Sequence, residues 1–405
     1  VSSGRRHIAP LLLCLLIGGC ALAAPGQGPL PPEACVAPGQ WSRPGPGGPA
    51  LTAADRALAA LAERRVVLLG ETHDDAEHHR WQLSTVAGLH ALHPAMALGF
   101  EMFPRRVQPV LDLWVAGRLT DREFLRQVEW DRVWGYDSRF YLPLFHFARM
   151  HRLPMLALNV ERSLVGRVGE QGWAAIPTGE REGVSDPAPA SPAYLGQLYP
   201  FHREHRSPGS LPGDGPAPTD AELRDPAFRR FVEAMLAWDR AMAQGIAEFL
   251  RREPDRLVVA VMGSGHLRHG HGVPHQLHSL GVDGAVVALP WDSSEPCADL
   301  VAGVADVVFG LQRRPEPPAP DRPRLGISFD RGEEGLVVRE VAPDSPAERA
   351  GLKAGDLLVT IAGVSTSDVE SLVSAVRRVA PGTWLPLRVR RDGETVELIA
   401  KFPPP

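Results

Sequence analysis

One short pattern occurs twice in this chain, as Gly70-Glu71-Thr72-His73 and as Gly263-Ser264-Gly265-His266. Each copy follows an apolar, β-branched run, Val66-Val67-Leu68-Leu69 in the first case and Leu257-Val258-Val259-Ala260-Val261 in the second. Each therefore reads as a strand that ends in a glycine-freed turn and delivers an imidazole. Parallel strands of an α/β sheet open their carboxyl ends into one crevice. The pattern predicts two histidines, far apart in sequence, that face a single pocket.

The chain between and around the two motifs alternates strand and helix. Strands are expected at Arg65 to Leu69, Met96 to Glu101, Pro154 to Val160, Leu257 to Val261 and Gly284 to Leu289. Helices are expected from Thr52 to Glu63, from Asp74 or Asp75 to about His90, from Leu142 to His151, and from Asp220 to Arg252. Such alternation predicts an α/β fold with a mostly parallel sheet flanked by helices, followed here by a small domain of strands and two helices. Residues 51–311 are read as the main domain, 312–322 as a stiff Pro-rich linker and 323–403 as the second module. Residues 177–219, dense in Pro, Gly and Ser, break the alternation and are expected as an irregular insertion.

The amino terminus reads as an export signal. Arg5-Arg6 precede an apolar stretch from Ile8 to Ile17, too short for the roughly 20 residues of a membrane-spanning helix. The small residues before Cys20 match a bacterial lipobox, which makes residues 1–20 a lipoprotein signal, Cys20 the acylated residue, and 21–50 a Pro/Gly-rich tether. Cleavage after Ala21-Leu22-Ala23 is the other reading. Ala21 lacks the aspartate of inner-membrane retention, which favours the outer membrane, facing the periplasm. Cys35 and Cys297 then remain, and in an oxidising compartment such a pair can form a disulfide; two free buried thiols are the alternative. With 405 residues, 44% hydrophobic content and a net charge of −5, the chain can bury a full core and carries no basic stripe, which argues against a nucleic-acid partner.

Under the parallel-sheet reading, Glu71, His73, Glu101, Asn159 and His266 all fall at strand ends, and His78 and His79 sit on the helix after the first strand. Ionisable groups next to apolar strands are costly unless paired, hydrogen-bonded or bound to a cation. Glu71, His73, Glu101 and His266 suit ligation of a divalent metal such as Zn or Mn, or general acid–base chemistry. A buried polar network that merely fixes the sheet ends is the plainer reading of any one of them. The further cluster His266, His269, His271, His275 and His278 matches no closed metal site.

The Gly-Glu-x-His motif with His78-His79, then GFEMF, ALN and Gly-Ser-Gly-His with Gly272-Val273-Pro274, resembles the ChaN-like haem-binding lipoproteins. These belong with the Tiki proteases and erythromycin esterases, a superfamily marked by two Gly-x-x-His motifs and an acidic residue. The resemblance implies a haem or iron ligand, held with His73, His78, His79, Asn159 and His266 as candidate contacts. It adds Tyr136 and Tyr141, which lie in a segment similar to a family motif. No Cys-x-x-Cys-His attachment sequence is present, so any haem is non-covalent. The enzymatic relatives imply instead a metal-dependent hydrolase, an esterase or peptidase, using Glu71, His73, Glu101 and His266.

Arg324-Leu325-Gly326-Ile327, Val341-Ala342-Pro343-Asp344-Ser345-Pro346-Ala347, Ala350-Gly351-Leu352 and Gly355-Asp356 together resemble a PDZ domain of the HtrA type. In that reading the turn Leu325-Gly326-Ile327 offers backbone N–H groups to a peptide carboxylate, and the peptide adds as a strand. A homodimer is another partnership open to such a module. The combined expectation is a cell-envelope lipoprotein, lipid-anchored to the membrane, that binds haem or iron and docks a partner peptide.

Overall fold

The computed structural model describes residues 35–206, 218–312, 324–332, 335–366, 369–377 and 379–404. The signal segment, Cys20, the first part of the tether and nearly all of the Pro-rich linker lie outside the described residues. The rest falls into two compact units, one on either side of residue 313.

The first unit is built on eight strands: β1 (Trp41–Arg43), β2 (Ala50–Thr52), β3 (Val66–Glu71), β4 (Met96–Pro104), β5 (Met155–Asn159), β6 (Leu257–Gly263), β7 (Val286–Asp292) and β8 (Val307–Leu311). They lie in the order β2-β1-β8-β7-β3-β6-β4-β5. Pairings from β8 through β5 are parallel, and β1 joins β8 and β2 antiparallel. Among the described residues, eleven α-helices accompany them. The first six are α1 (Ala54–Ala62), α2 (Ala76–Leu92), α3 (Gln108–Val115), α4 (Asp121–Gln127), α5 (Trp130–Val133) and α6 (Ser138–Met150). The remaining five are α7 (Arg162–Gln171), α8 (Pro192–Arg206), α9 (Asp220–Leu223), α10 (Pro226–Arg252) and α11 (Val273–Ser279).

Alternation along a strand sends successive side chains to opposite faces, and β3 shows the result. Val67 and Leu69 enter one core with Leu61, Trp81, Leu111, Trp114 and Phe145 from the early helices. Val66 and Leu68 enter the other with Met242 and Ile246 of α10 and Leu277 of α11. Burial on both faces explains why the strands read as continuous apolar runs. It also leaves the carboxyl ends as the place for polar side chains.

Three expectations need correction. The segment 21–50 is not a tether throughout, because its last part belongs to the sheet. Trp41 is buried against Trp81 and Phe309, β1 pairs with β8, and Cys35 forms a disulfide with Cys297. Residues 177–219 are not wholly irregular, since α8 lies within them and buries Tyr194, Leu198 and Tyr199 against Phe228, Val232 and Leu236. Apolar residues one turn apart gave α8 a face to bury. The long helix begins at Pro226 rather than Asp220: Asp225 caps it through the N–H groups of Ala227 and Phe228, and proline suits the first helical position.

The second unit contains β9 (Ile327–Gly332), β10 (Gly335–Val341), β11 (Leu357–Ile361), β12 (Val364–Ser365), β13 (Trp384–Arg391), β14 (Glu394–Lys401), α12 (Pro346–Arg349) and α13 (Val369–Arg377). Its sheet runs β14-β13-β11-β10-β9, so β9 is an edge, and every pairing is antiparallel. Leu325, Leu336, Val338, Leu372 and Val389 share its own hydrophobic core.

Candidate functional site

β3 and β6 are adjacent and parallel, in a register that sets Glu71 beside Gly263. The two Gly-x-x-His motifs thus leave the sheet side by side, and β4 on the far side of β6 contributes Glu101. Glu71, Glu101 and His266 are buried, while the His73 side chain keeps 26% of its surface open.

Each histidine is held by a carboxylate on its Nδ1, and each carboxylate by a tyrosine. In the first motif His73 Nδ1 lies 2.8 Å from Glu71 Oε1, which also accepts from the Tyr141 hydroxyl at 2.7 Å. Gln82 Nε2 donates to the other oxygen, Oε2, at 3.0 Å. In the second motif His266 Nδ1 lies 2.6 Å from Asp239 Oδ1, and Tyr194 donates to Asp239 Oδ2 at 2.6 Å. His266 Nε2 then faces Glu101 Oε1 at 3.5 Å, and Glu101 Oε2 accepts from the Gly263 N–H at 2.6 Å.

The two imidazoles end up unequal. Burial by itself would lower the His266 pKa, but Glu101 and Asp239 on opposite ring nitrogens push it up to about 10. Burial would raise that of Glu101, but the His266 charge and hydrogen bond, with help from His73 and the Gly263 N–H, bring it down to about 2. His266 and Glu101 are therefore a closed ion pair. For His73 burial also pulls downward and is overcome by the Glu71 hydrogen bond and the Glu101 charge, so its pKa is raised. With Nδ1–H given to Glu71, the Nε2 of His73 makes no hydrogen bond to another described residue. Its ring is walled by Trp134 at 4.7 Å and by Tyr136 at 5.1 Å between centroids.

Other residues expected to touch a cofactor turn inward instead. Tyr141 is fully buried, and its hydroxyl serves Glu71 and the His73 carbonyl. His79 donates from Nε2 to the same carbonyl at 3.1 Å and stacks on Phe140. Asn159 donates to the Glu101 carbonyl and accepts from the Val160 N–H. These groups buttress the site; only Tyr136, partly exposed, stands at its mouth beside His73.

Nor do Glu71, His73, Glu101 and His266 close into one cage of ligand atoms. Among the described residues, the acidic and imidazole groups that do converge are Asp75, His78 and Asp292. Their chemistry opposes a metal. The Thr72 N–H donates to His78 Nδ1 at 2.8 Å, which puts the proton of a neutral ring on Nε2, the atom that faces both carboxylates. An N–H cannot be a metal ligand.

In the second unit Leu325 and Gly326 lead into the edge strand β9. Their carbonyls accept from the N–H groups of Ala347 and Ala342, and among the described residues neither donates a backbone bond. Gly326 has φ +84° with Ser345 packed against it. Ile327 and Phe329 share a cluster with Leu372 and Val376 of α13.

A family model described as "Haem-binding uptake, Tiki superfamily, ChaN" matches residues 57–277, more than half of the chain. The chain belongs to this family. A PDZ-domain model matches residues 323–401. The ChaN domain is similar in fold to the solved structure "Cofacial heme binding to ChaN of Campylobacter jejuni", with TM-score 0.51 and 18% identity over 66% of this chain and 96% of that one. Among curated proteins, the chain is 37% identical over 70 residues to serine protease HTRA1 of Xenopus tropicalis, covering 17% of this chain and 15% of that protein. It is 38% identical over 61 residues to a probable periplasmic serine endoprotease DegP-like of Halomonas elongata, covering 15% of this chain and 13% of that protein. The chain spans only about that small share of these relatives, a stretch the size of the PDZ module.

Within the ChaN domain, the sequence motifs single out neither Tyr194 nor Asp239, which the structure links to His266. Asp239 follows Trp238 on a strongly amphipathic helix. Its position three or four residues from the buried Leu236, Met242 and Ala243, the spacing that shares a helix face, was the available sign that it faces inward.

Proposed function

We propose that the crevice of the ChaN domain binds haem non-covalently, with His73 Nε2 and the Tyr136 hydroxyl as the donors available to iron. One observation carries this reading: His73 has its Nδ1 committed to Glu71 and its Nε2 free, between two aromatic walls at an open mouth. Haem supplies a flat apolar surface and an iron that accepts His or Tyr ligands. The residues present fit both demands, since the exposed Tyr136 ring lies beside His73 and His73 offers a nitrogen lone pair. Glu71 orients that ring, Tyr141 and Gln82 fix Glu71, and the closed pair of His266 with Glu101 keeps the second imidazole away from iron. Among the described residues, Glu71, His73, Glu101 and His266 form no closed cage of ligand atoms that would support a divalent metal at the same place.

The PDZ domain docks the carboxyl terminus of a partner peptide at Leu325, Gly326 and Ile327, with the peptide added along β9. The cell envelope is the fitting location, with Cys20 lipidated and the protein on the periplasmic side of the outer membrane. The signal-like amino terminus, the Cys35–Cys297 disulfide and the family membership support it. The test is titration of the purified chain with haemin. A saturable Soret band that shifts or weakens in His73→Ala and Tyr136→Phe is expected. A spectrum identical to free haemin at all ratios would overturn the reading.

A further inference from the structure

The two motifs differ in one position that matters chemically. The residue after the glycine is Glu71 in the first and Ser264 in the second, so the second motif cannot supply a carboxylate to its own histidine. The fold supplies it from elsewhere. Asp239, buried on α10, occupies for His266 the place that Glu71 occupies for His73, and Tyr194 of α8 repeats the role of Tyr141. The result is a continuous line of hydrogen bonds and charge from Tyr194 through Asp239 and His266 to Glu101 and the Gly263 N–H. Glu101 stands at its end, on the side of the crevice where His73 lies. A β-carbon built on Gly263 would sit 3.2 Å from His73 Nε2 and 3.6 Å from Glu101 Oε2.

We propose that Asp239 is the positioning residue for His266 and, through it, for Glu101, and that Tyr194 extends this control into α8. Asp239 takes the Nδ1–H of His266 and so fixes both the orientation and the protonated face of the ring. His266 Nε2–H is then aimed at Glu101, which it holds on the side where His73 lies. Removing Asp239 takes away the partner of Nδ1, frees the ring to rotate and loosens the Nε2 contact with Glu101, which keeps its bond from the Gly263 N–H. Asp239 touches no ligand; its influence is relayed. Only the affinity part of this assignment rests on the haem reading, because the hydrogen bond itself is a property of the unliganded protein.

The test uses the full chain with Asp239→Asn and Tyr194→Phe. In the proton NMR spectrum of the unliganded protein, the His266 Nδ1–H is expected as a strongly downfield resonance. It should move upfield in Asp239→Asn and by a smaller amount in Tyr194→Phe. Haemin affinity should fall about 10-fold or more in Asp239→Asn, the range typical of lost partners to a site residue, and a few-fold in Tyr194→Phe. An unmoved resonance, or haemin affinity equal to that of the parent protein, overturns the assignment. Should Asp239→Asn fail to fold, Tyr194→Phe, which loses one oxygen, decides it on the same two readouts. If the parent chain binds no haemin, the haem reading fails, and a resonance that moves still upholds the role of Asp239.

Discussion

The last glycine of β6 supports the ring of His73: a β-carbon on Gly263 would lie 2.9 Å from Cε1 and 3.2 Å from Nε2 of that imidazole. The second motif's glycine thus does more than free its own turn, for it makes room for the histidine of the first. Gly263→Ala is expected to push the His73 ring off its Glu71 bond and to lower haemin affinity about 10-fold. Gly265→Ala, where nothing lies within 4 Å, should leave affinity unchanged. Parallel haemin titrations of the two variants check this.

The buttress behind Glu71 is separable from the exposed Tyr136 beside His73. Tyr141→Phe removes one of the donors to a buried carboxylate, a change worth about 1–3 kcal/mol. The lower end is expected because Gln82 and His73 still bond Glu71. Tyr136→Phe, at a partly exposed hydroxyl, should leave stability alone while altering the haemin spectrum. Urea unfolding of both variants separates the two roles.

Stability should depend on pH through the His266–Glu101 pair. The His266 pKa rises from 6.5 to about 10 on folding, so its contribution is complete below pH 6.5 and is lost as pH rises toward 10. Glu101 falls from 4.5 to about 2, so its contribution is complete above pH 4.5 and is lost as pH falls toward 2. A plateau between these limits is expected, with a slope of up to about 1.4 kcal/mol per pH unit on either side. In His266→Gln the alkaline slope should flatten. Denaturant midpoints across pH 2 to 10 test both statements.

Reduction of the Cys35–Cys297 disulfide, or Cys35→Ser with Cys297→Ser, should destabilise the first unit by about 2–4 kcal/mol. The PDZ unit has its own core and should melt unchanged. Calorimetry with and without reductant would show one transition moving and the other staying.

At Gly326 a β-carbon would meet Ser345 Cβ at 2.2 Å, in a backbone conformation of φ +84°. Gly326→Ala is expected to distort the turn before β9 and to abolish docking of peptides with free carboxyl termini. Fluorescence anisotropy with a peptide ending in an apolar residue measures it, and the amidated peptide serves as the control.

Much of the architecture was legible because it follows from local chemistry. Apolar runs bounded by glycine mark buried parallel strands, and the charged residues at their ends mark the open edge of the sheet. Glu71, His73, Glu101 and His266 could be placed together on that ground alone. β1, β2 and α8 were less visible, since three-residue strands and a Pro-flanked helix carry too little periodicity to stand out from a linker. Their reason for being ordered lies in long-range partners: Phe309 for Trp41, Cys297 for Cys35, and Phe228 for Tyr199.

The sequence by itself determined that two imidazoles and two carboxylates meet at one end of an α/β sheet, and that a PDZ module follows. Only the tertiary structure decided that both nitrogens of His266 are engaged, while His73 commits Nδ1 to Glu71 and keeps Nε2 free. That choice depends on Asp239 and Tyr194, brought in from helices on another layer, and on the register that sets Glu71 beside Gly263. Hydrogen bonds reach only about 3 Å, so a residue's chemistry is settled by neighbours whose positions no local pattern records.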